Sequence, residues 1–238
     1  MNRRALVVLV AALVGAGVTA RLGWWQLDRA AQKTALQAAL DSRRVLPPLP
    51  LAELASSEAQ AREQHYRPIV AEGTWLPERT LFLDNRPMAG RVGFIVVTPL
   101  RLADGSVVAV QRGWLPRDAS ERTHVTPPPT PSGRVRVAGR IAPPPSRLFE
   151  FSAAASGPIR QNLDLDVYAA EVGRPLRPLS IVVEDGPLTA DDGLLRQWPL
   201  PAADVHKHYG YAFQWFAMAT LIVGLYVWFQ LIRPRRRV

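Results

Sequence analysis

The chain has 238 residues, no cysteine, and 29 basic against 20 acidic residues, for a formal net charge of +9. Without cysteine there is no disulfide, no thiolate nucleophile and no cysteine metal site. The charge does not point to nucleic acid, because residues 28–208 hold 22 of the basic and all 20 acidic residues, a surplus of only +2, with no local basic patch.

Taken in chain order, residues 1–4 form a short basic start with Arg3 and Arg4, and residues 5–27 form a first apolar segment. Ala5–Ala20 carries no charge, and the apolar character continues through Arg21 to Trp25, approaching the roughly 20 residues that cross a bilayer. A cleaved signal peptide ending at Val18-Thr19-Ala20 is the competing reading; the aromatic residues beyond that point favour a retained helix. Ala30–Leu40 reads as a helical extension, ended by Pro47-Pro48 and Pro50.

Residues 28–208 then read as one external domain, large enough for its own core. Arg67–Glu72, Thr80–Asp84, Val92–Leu100, Val107–Gln111, Val135–Ile141 and Leu179–Val183 are short strand-like runs. Asp84-Asn85, Asp104-Gly105, Ser132-Gly133 and Asp185-Gly186-Pro187 read as turns between them. The Ala103-Asp104-Gly105 loop predicts a hairpin between the third and fourth runs. Asp164–Val172 predicts a short helix, capped by Asp164 or Asp166 and stopped by Gly173. Thr126–Pro131 is too proline-dense for either element and reads as an exposed connection. The expected fold is therefore two membrane helices flanking a mostly antiparallel β domain, a small curled sheet or barrel with one or two short helices.

The second apolar segment, residues 209–232, carries no formal charge, and a basic tail with Arg233, Arg235, Arg236 and Arg237 follows in residues 233–238. Basic residues favour the cytoplasmic side, which predicts cytoplasmic termini and an external domain. The absence of an amphipathic, serine-rich leader ahead of the first helix points to a bacterial inner membrane, with the domain in the periplasm.

Signatures of common hydrolases and nucleotide-binding enzymes are absent, so no catalytic residue is assigned. His124 reads as solvent-exposed, His65 as a surface residue at a strand start, and His206 as an interfacial anchor on a different helix face from His208. His208 heads a stripe with Tyr211, Ala212 and Trp215 at i+3, i+4 and i+7, which suits either an aromatic belt or a porphyrin ligated by an imidazole. Ala11, Gly15 and Thr19 on the first segment, with Thr220 and Gly224 on the second, suggest small faces for close helix packing. Such packing places Gln26, Arg29 and a tryptophan beside His208, with Arg29 or Arg21 suited to propionate groups.

Leu22-Gly23-Trp24-Trp25-Gln26-Leu27-Asp28-Arg29, Gly73-Thr74-Trp75, Leu83-Asp84-Asn85-Arg86, Gly93–Leu100, Arg112-Gly113-Trp114-Leu115-Pro116 and His208–Phe216 occur in that order between two terminal helices. Together they resemble the surfeit locus protein 1 family of cytochrome c oxidase assembly factors. Phe94 and Gln111 stand where many members have Tyr and Asn. The resemblance implies a non-enzymatic membrane protein that binds haem a as cargo and assists its insertion or retention in subunit I of the oxidase. Further partners it implies are haem a synthase or other assembly factors. Its histidine at the head of the second helix maps onto His208, which the resemblance makes the ligand of the haem iron, and its Gly-x-Trp-Gln segment onto Gly23, Trp25 and Gln26. The expected cofactor-binding set is thus His208, Tyr211, Trp215, Trp25, Gln26 and Arg29. A scaffold that holds subunit I or other assembly factors without touching haem is the alternative. Asp84-Asn85-Arg86 reads as a strand-ending turn and Arg112-Gly113-Trp114 as a strand end with a packed indole, while an exposed Trp114 or Arg86 would suit a partner surface.

Overall fold

The computed structural model describes residues 3–118, 125–149, 157–189, 191–199 and 204–233. His124 and Arg235–Arg237 lie outside them. The chain forms two compact units, one made of Met1–Ala39 with Leu200–Val238, the other of Leu40–Pro199.

In the first unit, α1 spans Arg3–Arg44 in full, its last turns belonging to the second unit. Alanine, leucine and valine dominate its first half, and Thr19 satisfies its hydroxyl on Gly15 O at 2.8 Å without leaving the helix. The closing helix of the chain spans Val205–Tyr226 and continues as a π-helical turn through Val227–Ile232. Both helices are long and apolar enough to cross a membrane. Their apolar side chains stand bare on the outer faces, as at Leu13 and Phe213, which are 64% and 73% exposed.

The second unit is a mixed seven-stranded sheet. Its strands are β1 (Pro68–Trp75), β2 (Leu81–Met88), β3 (Arg91–Leu102), β4 (Val107–Pro116), β5 (Arg134–Ala142), β6 (Ile159–Arg160) and β7 (Leu176–Val183). Their order is β1-β5-β7-β4-β3-β2-β6, and β1 pairs in addition with the end of β3 through Gly73–Trp75. Two short helices accompany it, α2 (Glu58–Gln64) and α3 (Leu165–Val172); the helix at Val205–Tyr226 is α4. The sheet is mostly antiparallel, as expected, and becomes mixed through two parallel pairs, β4–β7 and β2–β6. In both parallel pairs the partners are separated in the chain by other strands, and such long connections allow parallel entry.

Both faces of the central strands are covered. Val108 and Val110 join Ile69, Leu100, Ile141, Leu179 and Ile181 in one cluster, whereas Ala109 turns the other way to Leu83, Val97 and Tyr168 of α3. Alternation in β4 therefore vanishes from the sequence, since the successive residues from Val107 to Trp114 are all buried. Tyr168 is fully buried and donates its hydroxyl to Arg79 O at 2.6 Å; burial raises its pKa. Asp164 caps α3 by accepting from the Asp166 and Val167 amides, and Gly173 ends it at φ 70°.

The hairpin at Ala103-Asp104-Gly105 forms as expected, with Leu102 N–H donating to Ser106 O at 2.9 Å. Three local readings are corrected. Asp84-Asn85 is a bulge inside β2, where Asn85 takes φ 59° and the register shifts between Leu83 and Arg86; the turn lies at Ala89-Gly90, with φ 49° and 74°. Arg112-Gly113-Trp114 lies inside β4, because Leu194-Leu195 runs alongside it and a Cβ on Gly113 would stand 2.6 Å from Leu194 Cβ. Thr126–Pro131 is only partly exposed: Pro128 is buried, and Pro129 O and Thr130 Oγ1 receive Arg112.

Candidate functional site

Within the first unit, α1 and α4 meet through an antiparallel series of contacts. Gln26 faces His208, Gly23 faces Phe216 and Gly15 faces Ile222. A Cβ on Gly23 would lie 2.8 Å from Phe216 Cζ, so the glycine is what admits the ring. Trp24 meets the same ring edge-on, with centroids 6.1 Å apart. Ala212, one turn below His208, is buried at 2% exposure.

The contact row on α4 is therefore His208, Ala212 and Phe216, an i, i+4, i+8 ridge. The expected small faces are corrected in part: Thr19 is buried and Gly15 makes contact, but Ala11, Thr220 and Gly224 are exposed. A four-residue ridge seats one large ring against glycine, which small-residue spacing alone does not reveal.

At the head of this row, His208 Nδ1 stands 2.7 Å from Gln26 Oε1. An amide oxygen only accepts, so Nδ1 is the donor in this contact and Nε2 is the nitrogen left for another partner. Among the described residues Nε2 has no hydrogen-bond partner. The ring is thus oriented from the facing helix through Nδ1, with Nε2 directed away from Gln26. Just before it, Asp204 and Lys207 pair at 2.9 Å, which lowers the aspartate pKa and raises the lysine's.

The other expected site residues divide. Trp215 is half-buried on α4, while Tyr211 and Trp25 are 52% and 46% exposed. Arg29 is exposed and donates to Gln32 Oε1 at 2.9 Å; Gln32 in turn donates to Asp28. Of the expected set, the structure joins His208 directly to Gln26 among the described residues. Gly23 stood in the Gly-x-Trp-Gln segment but outside the expected cofactor-binding set, and Phe216, which it seats, was missed as a site residue. The i+8 position after His208 was the available signal.

The second unit holds its polar groups differently. Arg112 and Arg196 clamp Asp192, at 3.1 Å and 2.7 Å, with all three side chains at most 5% exposed. The Arg112 guanidinium also lies 5.2 Å from the Trp75 ring centre, beside a cavity of about 310 Å³. Burial lowers the Arg112 pKa, and the Asp192 carboxylate opposes that shift. Arg86 is 5% exposed and donates to Ser146 O and Gln161 O, and Trp114 is fully buried with its indole N–H on Arg86 O at 2.8 Å. Neither can serve as the exposed partner contact considered above. His65 is half-buried at the end of α2, and burial with Arg43 and Arg62 lowers its pKa. Among the described residues no three His, Cys, Asp or Glu side chains are grouped to hold a metal ion.

Comparison with known proteins places these features in a family. A SURF1-like protein of Rickettsia felis is 26% identical over 216 residues, covering 87% of this chain and 89% of the relative. An uncharacterized SURF1-like protein of Mycobacterium tuberculosis is 26% identical over 225 residues, covering 90% and 79%. The cytochrome oxidase assembly protein SHY1 of Saccharomyces cerevisiae is 30% identical over 95 residues, covering 40% of this chain and 24% of its own. The SURF1 family model matches residues 13–220, running from within α1 across the whole sheet to within α4. The chain therefore belongs to the SURF1 family.

Proposed function

We propose that the protein is a non-enzymatic assembly factor for cytochrome c oxidase, bound to the bacterial inner membrane by α1 and α4 with its sheet domain in the periplasm. In this reading it receives haem a at the outer ends of the two helices and assists its insertion or retention in subunit I, working beside haem a synthase or other assembly factors. The yeast relative's name as an oxidase assembly protein supports the process. The observation that carries the haem reading is the His208–Gln26 contact at 2.7 Å.

The residues present fit a porphyrin cargo. Imidazole is a common ligand to haem iron, and Gln26 orients the ring through Nδ1, which leaves Nε2 for another partner. Trp25 and Tyr211 supply aromatic surface, Trp215 lies a turn further along α4, and Arg29 supplies a guanidinium suited to propionates. One imidazole gives a hold that is strong enough for transit and open on its far side for release.

Absorption spectroscopy tests this reading. Protein purified in detergent from cells that make haem a is expected to carry a haem spectrum, strongly reduced in His208→Ala. A haem-free wild-type protein, or an undiminished spectrum in the variant, would refute haem binding and leave the scaffold reading. Orientation is tested by a reporter fused near Pro128, for which cytoplasmic activity would overturn the assignment.

A further inference from the structure

Beyond the membrane helices, we propose that the sheet domain carries a phosphate-binding groove made by Arg101, Arg134 and Arg174. The register of the sheet creates it. Thr74 of β1 lies opposite Arg101 of β3 on one side and opposite Arg134 of β5 on the other. Residues directly opposite one another project from the same face, so the two guanidinium stems flank the threonine. Arg174, just past the Gly173 cap of α3, lines the same groove, whose volume is about 350 Å³. Gly73 permits this closeness, since a Cβ there would meet Arg101 O at 2.4 Å.

The charges of this row are unmatched. Two residues away on the same face, Glu72 pairs with Arg136 at 3.1 Å, the ordinary arrangement for facing strands. Along the Thr74 row the facing residues are two arginines with no acid between them. Asp104, the carboxylate of the adjoining hairpin, is held by Arg177 at 2.6 Å and by Ser106, contacts that lower its pKa. Among the described residues, Arg101, Arg134 and Arg174 join no ion pair. Like charges facing across a strand repel, and a bound anion relieves that repulsion.

Three guanidinium groups from three elements suit a tetrahedral group with several outward oxygens better than a planar carboxylate with two. The ligand class is therefore a phosphate ester or phosphate, supplied by a lipid headgroup or by a soluble compound. Among the described residues no aromatic side chain lines the groove, unlike the stacking platforms that bind single-stranded nucleic acid.

The test uses the full chain in nanodiscs of neutral lipid, titrated with inorganic phosphate and with glycerol 3-phosphate while phosphorus NMR line widths are recorded. Saturable broadening is expected, weakened about tenfold or more in the Arg134→Gln/Arg174→Gln double variant, whose sites are both exposed. Arg136→Gln, outside the row, should leave it unchanged. In parallel, nanodiscs containing a photoreactive phosphatidylglycerol report whether the headgroup crosslinks to peptides bearing these arginines. Crosslinking supports a lipid source; saturable broadening without crosslinking supports a soluble one. No saturable broadening together with no crosslinking, equal binding by the double variant, or saturation by acetate at lower concentration than phosphate would overturn the proposal.

Discussion

The helix pair and the sheet domain treat polar groups in opposite ways. In the sheet domain they are locked inward: Asp192 between two arginines, Gln111 on Ser180 at 2.8 Å, the Trp114 indole on a backbone carbonyl. Between α1 and α4 the described polar contact is the single His208–Gln26 pair, while Trp24, Trp25 and Tyr211 face outward. The domain uses polarity to specify one fold, because each buried group is costly if left without its partner. The helix pair keeps it at an end, where one nitrogen stays available.

Several substitutions break or sharpen this contrast. Trp114→Ala should have the largest effect, costing about 3–5 kcal/mol through a cavity that also orphans the Arg86 carbonyl. Chemical denaturation followed by tryptophan fluorescence would register it, and a cost below about 1 kcal/mol would mean that the indole is not the wedge of the sheet. Asp192→Ala strips the carboxylate from two buried arginines and is expected to cost about 3 kcal/mol by the same assay. A near-neutral result would show that Arg112 and Arg196 reach other acceptors.

Gly23→Leu acts on the other region. It collides with Phe216, for a cost of about 1–3 kcal/mol to helix packing, and should reduce bound haem while leaving the domain's denaturation midpoint unchanged. If haem content is retained, the seating of Phe216 does not govern the His208 site. Gln26→Ala should weaken haem retention about tenfold or more, with Gln26→Glu restoring part of it as an alternative acceptor. Equal retention in all three proteins would remove Gln26 from any positioning role.

The smallest effect concerns pH. The folded pKa of His65 lies below its ordinary value of 6.5, so the unfolded chain takes up its proton first as pH falls. The stability this residue contributes is complete above about pH 6.5 and declines as pH drops from there through the lowered folded value. His65→Gln should therefore flatten the thermal midpoint between pH 7.5 and pH 5, and an unchanged slope would assign the acid sensitivity elsewhere.

How much was legible follows from where each signal resides. Both apolar helices, the cap of α3 by Asp164 and the hairpin at Asp104-Gly105 are local in origin and were readable from neighbouring residues. The bulge at Asn85 was not, because the residues that favour a turn also favour positive φ within a strand, and only the pairing of β2 with β3 chooses between them. The two-residue β6 and the parallel β4–β7 pair left no periodic trace.

The sequence by itself determined two apolar helices and the order of motifs between them, together with a histidine at the head of the second helix; these depend on composition and on spacing within one element. Tertiary structure decided which of the residues expected beside His208 meets it, namely Gln26, and it alone decided that Phe216 rests on Gly23 and that Arg101 and Arg134 close on Thr74. Those partners lie tens to hundreds of residues apart. Their meeting depends on helix crossing and strand register, which are set by packing across the whole fold and by no run of neighbouring residues.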